Sequence, residues 1–142
     1  MSEIPAALRF CRLLPAPPQE VFAAWTDPDS LSEWLCPGTT TVAEARLDAR
    51  VGGCFRIVMR TASQDIVHTG EYREVRPPER LVFTWRSTML GEAETLVTVE
   101  LHPDGEQTQL ILTHERLPDE SARTSHSQGW TSALDKLASF LR

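Results

Sequence analysis

The stretch Ser121-Ala-Arg-Thr-Ser-His-Ser-Gln-Gly-Trp-Thr-Ser-Ala-Leu-Asp-Lys-Leu-Ala-Ser-Phe-Leu141 decides the fold. Within it Trp130, Leu134, Leu137 and Leu141 recur at i, i+4, i+7 and i+11, the spacing of one helix face. Ala133 and Phe140 widen that apolar stripe, while Gln128, Ser132, Asp135, Lys136 and Ser139 fall away from it. A helix with one apolar side must lie against something. The residues before it change to a period of two, so that something is a sheet.

Working back towards the N-terminus, strands are expected at about 40–49, 53–61, 65–75, 80–87, 94–102 and 107–116. Their punctuation is Gly52-Gly53, Ala62-Ser63-Gln64, Arg76-Pro77-Pro78-Glu79, Gly91 and Pro103-Asp104-Gly105-Glu106. Connections this short imply antiparallel hairpins. Upstream, Leu8 to Leu14 reads as another strand, closed by Pro15-Ala16-Pro17-Pro18. Val21, Phe22 and Trp25 then make a short helix, and Asp27 or Asp29 caps a second one carrying Leu31, Trp34 and Leu35. The expectation is an α+β fold in one domain over 1–142. An antiparallel sheet of about seven strands wraps around a long C-terminal helix, with two short helices after strand 1.

Alternation assigns an inner face to Phe55, Ile57 and Met59, to His68, Gly70 and Tyr72, and to Leu81, Phe83 and Trp85. Val97, Val99 and Leu101, and then Leu110, Leu112 and His114, extend it. A helix only ~10 Å across cannot cover a curved sheet of that width, so an apolar hollow is expected between them.

Composition narrows the partners. The 14 basic and 20 acidic residues leave a net charge of −6, which disfavours nucleic acid and anionic membrane surfaces. No apolar run approaches the ~20 residues of a membrane span, and the start carries no basic segment followed by an apolar one, so no signal peptide is expected. Three widely spaced cysteines, Cys11, Cys36 and Cys54, form no C-x-x-C pair. They read as reduced thiols in a cytoplasmic protein, with no zinc site and no cofactor. Cys54, next to Phe55, is expected to pack as a small hydrophobe.

Candidate cavity residues are Trp34, Phe55, Ile57, Met59, His68, Tyr72, Phe83, Trp85, His114, His126 and Trp130. His68, His114 and His126 could converge to polarise a carbonyl, act as a base or anchor a ligand. Histidines in such places ordinarily satisfy a backbone group, and that reading ranks first. The aromatic residues equally suit plain core packing, except that Trp34, on the helical arch, could gate the cavity mouth. Tyr72 needs a partner for its hydroxyl if buried. Gly52-Gly53 lacks the Lys and Ser/Thr of a phosphate loop and reads as a turn needing positive φ. Arg46, Arg50, Arg56 and Arg60 read as solvated outer-face charges, and no serine sits in a nucleophile-elbow context.

Several motifs in order carry a resemblance. They begin with Pro17-Pro18-x-x-Val21-Phe22-x-x-Trp25-Thr26-Asp27-Pro28, followed by Leu31-x-x-Trp34-x-x-Pro37 and Arg50-x-Gly52-Gly53-x-Phe55. Gly70-x-Tyr72-x-x-Val75-x-Pro77-Pro78-Glu79-Arg80-Leu81-Val82-Phe83-Thr84-Trp85 comes next. Thr108-x-Leu110-x-Leu112-x-His114 and Gly129-Trp130-x-x-x-Leu134-x-x-Leu137 complete the set. Together they resemble homologues of the activator of the heat-shock-protein-90 ATPase, in the START-like (SRPBCC) superfamily. Leu35 departs from the pattern, because many members carry a second tryptophan there. The resemblance implies a helix-grip fold and a cavity for a small hydrophobic or amphipathic molecule such as a lipid or polyketide. It also leaves open a polyketide cyclase or hydrolase in the same cavity, a chaperone-associated interaction module of bacterial stress response, and homodimer formation.

Overall fold

A computed structural model describes residues 7–36, 38–91 and 93–142. The elements are β1 (Leu8–Leu14), α1 (Pro18–Thr26), α2 (Pro28–Trp34), β2 (Thr41–Leu47), β3 (Cys54–Arg60), β4 (Asp65–Arg76), β5 (Arg80–Ser87), β6 (Thr95–Asp104), β7 (Gln107–Glu115) and α3 (Glu120–Phe140). A short 3-10 turn, Thr88–Leu90, follows β5. The sheet runs β1-β7-β6-β5-β4-β3-β2, every pair antiparallel, and curls around α3. Hairpins thus account for every neighbour except β1–β7, where the first strand returns to close one edge.

α1 starts at Pro18 without a side-chain cap, whereas α2 and α3 begin where a side chain serves their free N–H groups. Asp27 caps α2 by accepting from the Ser30 amide at 3.1 Å, with Pro28 in the first turn. Asp119 caps α3 by accepting from the Ala122 amide at 2.8 Å. The apolar stripe of α3 is buried at Trp130, Ala133, Leu134 and Leu137. Phe140, which the periodicity places beside that stripe, is 40% exposed, whereas Leu141, on the stripe itself, packs against the core.

Strand parity holds along the inner face, where Phe55, Ile57, Met59, Leu81, Phe83, Trp85, Val97, Val99, Leu110 and Leu112 are all buried. Cys54 departs from expectation. It is exposed, because Phe55 takes the inward position and the pleat sends its neighbour outward. The β6–β7 turn is tighter than the sequence suggests: Pro103 and Asp104 stay in the ladder opposite Thr108 and Gln107, and Gly105 turns the chain with φ 63°.

Two glycines shape the sheet near the core. Gly70 lies opposite Phe55, and a Cβ there would overlap both the Phe55 ring and the Thr84 carbonyl oxygen. Gly52 takes φ 85°, which places its N–H to donate to the Tyr72 carbonyl, while the Tyr72 N–H donates to Gly53. The Gly52-Gly53 turn is therefore pinned to β4 where its pairing with β5 shifts register, between Tyr72 and Glu74. On the outer face Arg46 and Arg56 pair with Glu44, and Arg60 pairs with Asp65. Arg50, in the turn after β2, pairs with Asp48. Such exposed pairs contribute little stability, and they leave these cations matched rather than gathered for an anionic partner. Among the described residues, no helix is long and apolar enough to cross a membrane.

Candidate functional site

Among the described residues, two spaces of different size border Trp85 and Trp130. Deep between α1, α2 and the sheet, Trp25, Phe55, Tyr72, Phe83, Trp85 and Trp130 interlock, with ring centroids 5.5–6.5 Å apart. Only about 20 Å³ stays open among them. Nearer the surface a cleft of about 100 Å³ opens between the N-terminal half of α3, strands β3 to β5 and the loop after α2. Met59 and Ile66 come from the sheet, Trp85 and Trp130 form aromatic wall, and Leu35 and Cys36 come from the loop. Among the described residues, none that lines the cleft carries a carboxylate, ammonium or guanidinium group.

Gly129 lines this cleft. It sits in the middle of α3, where glycine costs ~1 kcal/mol relative to alanine. No packing contact explains it, because a Cβ there meets nothing within 4 Å. The loop that borders the cleft is tied to α3 through Gly38: its N–H donates to Ser132 Oγ at 2.8 Å and its carbonyl accepts from Lys136 Nζ at 2.6 Å.

The three histidines gather near Trp85. His114 and His126 stand edge to face at 5.2 Å, and His68 stacks on Trp85 at 4.6 Å. Their hydrogen bonds differ. An indole N–H only donates. Trp130 Nε1 donates to His114 Nδ1 at 3.0 Å, which puts the His114 proton on Nε2, facing Thr95 Oγ1 at 2.7 Å. Thr95 in turn donates to the Trp85 carbonyl at 2.7 Å. By the same logic Trp85 Nε1 donates to His126 Nε2 at 3.3 Å, and His126 Nδ1–H donates to the Ala122 carbonyl at 2.9 Å. Each tautomer follows from its neighbours. Both rings are held neutral, with their lone pairs already occupied.

His68 is different. It is 4% exposed, lines the cleft, and its Nδ1 is buried with no hydrogen-bond partner. Burial first, and then the nearby His126, push the His68 pKa down to about 4 and that of His114 down to about 3. Burial also lowers His126, opposed by its bond to Ala122. Among the described residues, no group of three or more His, Cys, Asp or Glu is placed to hold a metal ion.

Of the residues singled out from sequence, Met59, His68, Trp85, His126 and Trp130 line the cleft. Phe55, Ile57, Tyr72 and Phe83 instead surround the small deep void. Burial, with Asp48 adding to it, raises the Tyr72 pKa to about 12, so that phenol stays protonated. His114 lies behind the cleft wall as the acceptor for Trp130. Trp34 is fully buried, donates from Nε1 to the Ala24 carbonyl at 3.0 Å and packs on Trp25 at 4.6 Å; it is core rather than gate. Leu35, the departure from the family pattern at the arch, and Ala133, on the apolar stripe of α3, also line the cleft, whereas sequence reasoning missed Cys36, Thr40, Ile66, Met89, Ser125 and Gly129. Of those missed, Gly129 carried a readable signal, a glycine in the interior of a strongly periodic helix.

Residues 15–142 match the family described as "Activator of Hsp90 ATPase homolog 1-like protein". Among solved structures, a protein from Chromobacterium violaceum is 30% identical with a TM-score of 0.85, over 96% of this chain and 98% of that one. An AHSA1 protein from Silicibacter pomeroyi is 32% identical with a TM-score of 0.82, over 94% and 96%. CalU16 from Micromonospora echinospora is 27% identical with a TM-score of 0.73, over 95% of this chain and 75% of that one. No curated protein matches the chain.

Proposed function

The chain belongs to the Activator of Hsp90 ATPase homolog 1-like family, and from that premise we propose that it binds a small hydrophobic molecule in the cleft beside Trp130. The observation that carries this reading is Gly129. A helix interior gives up ~1 kcal/mol of stability there, and the structural consequence is open apolar space next to Trp130. The cleft's size restricts the ligand. Drug-sized pockets run from ~300 Å³ upward, whereas an apolar cavity of ~150 Å³ takes benzene. About 100 Å³ suits a molecule of about one ring, and a sterol or long acyl chain needs the Gly38 loop displaced.

Catalysis by a histidine set finds less support. A general base needs a free lone pair within reach of the substrate proton. His114 and His126 have theirs taken by indole N–H groups, which leaves His68 alone.

The test is occlusion of the cleft. Gly129→Leu places a side chain into space that holds no other atom within 4 Å of its Cβ, so the fold should survive. Toluene titrated into ¹⁵N-labelled wild-type protein should shift the amides of Gly129, Trp130 and His68. The same titration into folded Gly129→Leu should leave them unmoved. Equal response in both proteins, or none in the wild type, rules the cleft out as the binding site.

A further inference from the structure

We propose that His68 is the polar anchor of the cleft, and that the cleft selects uncharged single-ring aromatic ligands carrying a hydroxyl group over carboxylates of the same size. The inference rests on the cleft being a binding site and adds the chemistry of its ligand.

His68 is the one histidine of the three whose hydrogen-bonding capacity the protein leaves unused. Its ring lines the cleft, is almost wholly buried, and keeps Nδ1 without a partner. An unpaired buried polar atom is costly, and a ligand that pairs with the ring recovers part of that cost. Trp85 and His126 are already engaged. Trp85, on which His68 stacks, already donates its indole N–H to His126, and His126 gives its own proton to Ala122.

The chemistry of the ligand follows from the ring and its surroundings. A neutral imidazole offers one donor and one acceptor, and a hydroxyl is both, so it pairs with either nitrogen in either tautomer. A carboxylate only accepts and carries a charge. Burying that charge requires a counter-ion, and among the described residues none that lines the cleft is a lysine or arginine. Lys136 is engaged with the Gly38 carbonyl and does not line the cleft. His68 stays neutral near pH 7 because burial pushes its pKa down to about 4, so it does not supply a cation either. The indole side chains of Trp85 and Trp130 in the lining favour an aromatic ligand, and the volume of about 100 Å³ limits it to about one ring.

The experiment compares toluene, phenol and benzoate at pH 7 by NMR titration against the wild type and His68→Leu. One net hydrogen bond predicts phenol binding about five- to tenfold tighter than toluene in the wild type, with benzoate weaker than both. In His68→Leu the phenol-to-toluene ratio should fall to about one while toluene still binds. A ratio that survives in His68→Leu overturns the proposal, and so does benzoate binding as tightly as phenol. Toluene and phenol binding equally to the wild type also overturns it, but leaves the cleft as a binding site. If neither binds the wild type, the cleft reading falls and this one with it. A second measurement needs no variant: the His68 ring nitrogens should shift in ¹⁵N spectra with phenol and not with toluene. Rings unmoved by saturating phenol refute the anchor.

Discussion

Acidification should unfold this protein through its buried histidines, well before most carboxylates titrate. His114 is held near a pKa of about 3 and His68 near about 4, against 6.5 for an exposed imidazole. Below pH 6.5 the unfolded chain takes up protons that the folded chain refuses, so stability is lost as pH falls. The stability is fully present above 6.5, declines through the window below it, and levels off only beneath the folded values. Between pH 8 and pH 5 each of the two rings accounts for a loss of about 2 kcal/mol. Together that is about 4 kcal/mol, and His126, lowered for the same reason, adds in the same direction. Against typical domain stabilities of about 5–15 kcal/mol, this is a large fraction. Urea unfolding followed by tryptophan fluorescence at pH 8, 7, 6 and 5 measures it directly. The control is His114→Gln, whose amide can still donate towards Thr95 but cannot titrate. At pH 8 it should be less stable by about 1–3 kcal/mol, because the Trp130 N–H loses its acceptor. Its stability should then fall about 2 kcal/mol less than the wild type on going to pH 5. Parallel stability curves for the two proteins across that range would falsify the assignment of His114 as a buried neutral acceptor.

Four further outcomes are expected. Gly70→Ala should destabilise by at least ~1–3 kcal/mol in urea unfolding, since the new methyl meets a backbone carbonyl as well as the Phe55 ring; a neutral result contradicts the close approach. Gly129→Ala should raise stability by up to ~1 kcal/mol, read as a higher Tm, and a loss would mean the helix needs glycine there for packing. Asp119→Ala should cost ~1 kcal/mol and increase amide exchange in the first turn of α3; unchanged exchange argues against the cap. Ser132→Ala combined with Lys136→Ala should free the loop at Gly38 and speed ligand exchange in NMR line shapes with under ~1 kcal/mol change in stability. Exchange rates identical to the wild type would show that the two side chains do not hold the loop at the mouth.

The long helix, the two short helices and the strand meander were legible because each rests on local rules. Apolar spacing of 3.6 marked α3, Asp27-Pro28 marked the start of α2, and alternation assigned Phe55, Ile57 and Met59 inward. The outward turn of Cys54 was legible by the same parity, had the pleat been given precedence over its apolar character. The cleft was legible only in outline. Parity named the inward aromatic residues, but did not say which of them interlock into solid core and which stop short of α3.

The one-dimensional pattern thus determined the architecture and the side of the sheet each residue faces, because hydrogen-bond ladders and helix turns repeat over a few residues. Tertiary packing alone decided that Phe55, Tyr72 and Phe83 fill the deep interior while His68, Trp85, Gly129 and Trp130 border open space. It also decided the roles of the histidines. Whether an imidazole lone pair is taken depends on an indole N–H from an element 16 or 41 residues away arriving within about 3 Å, and short-range spacing in the chain carries no record of such a distance.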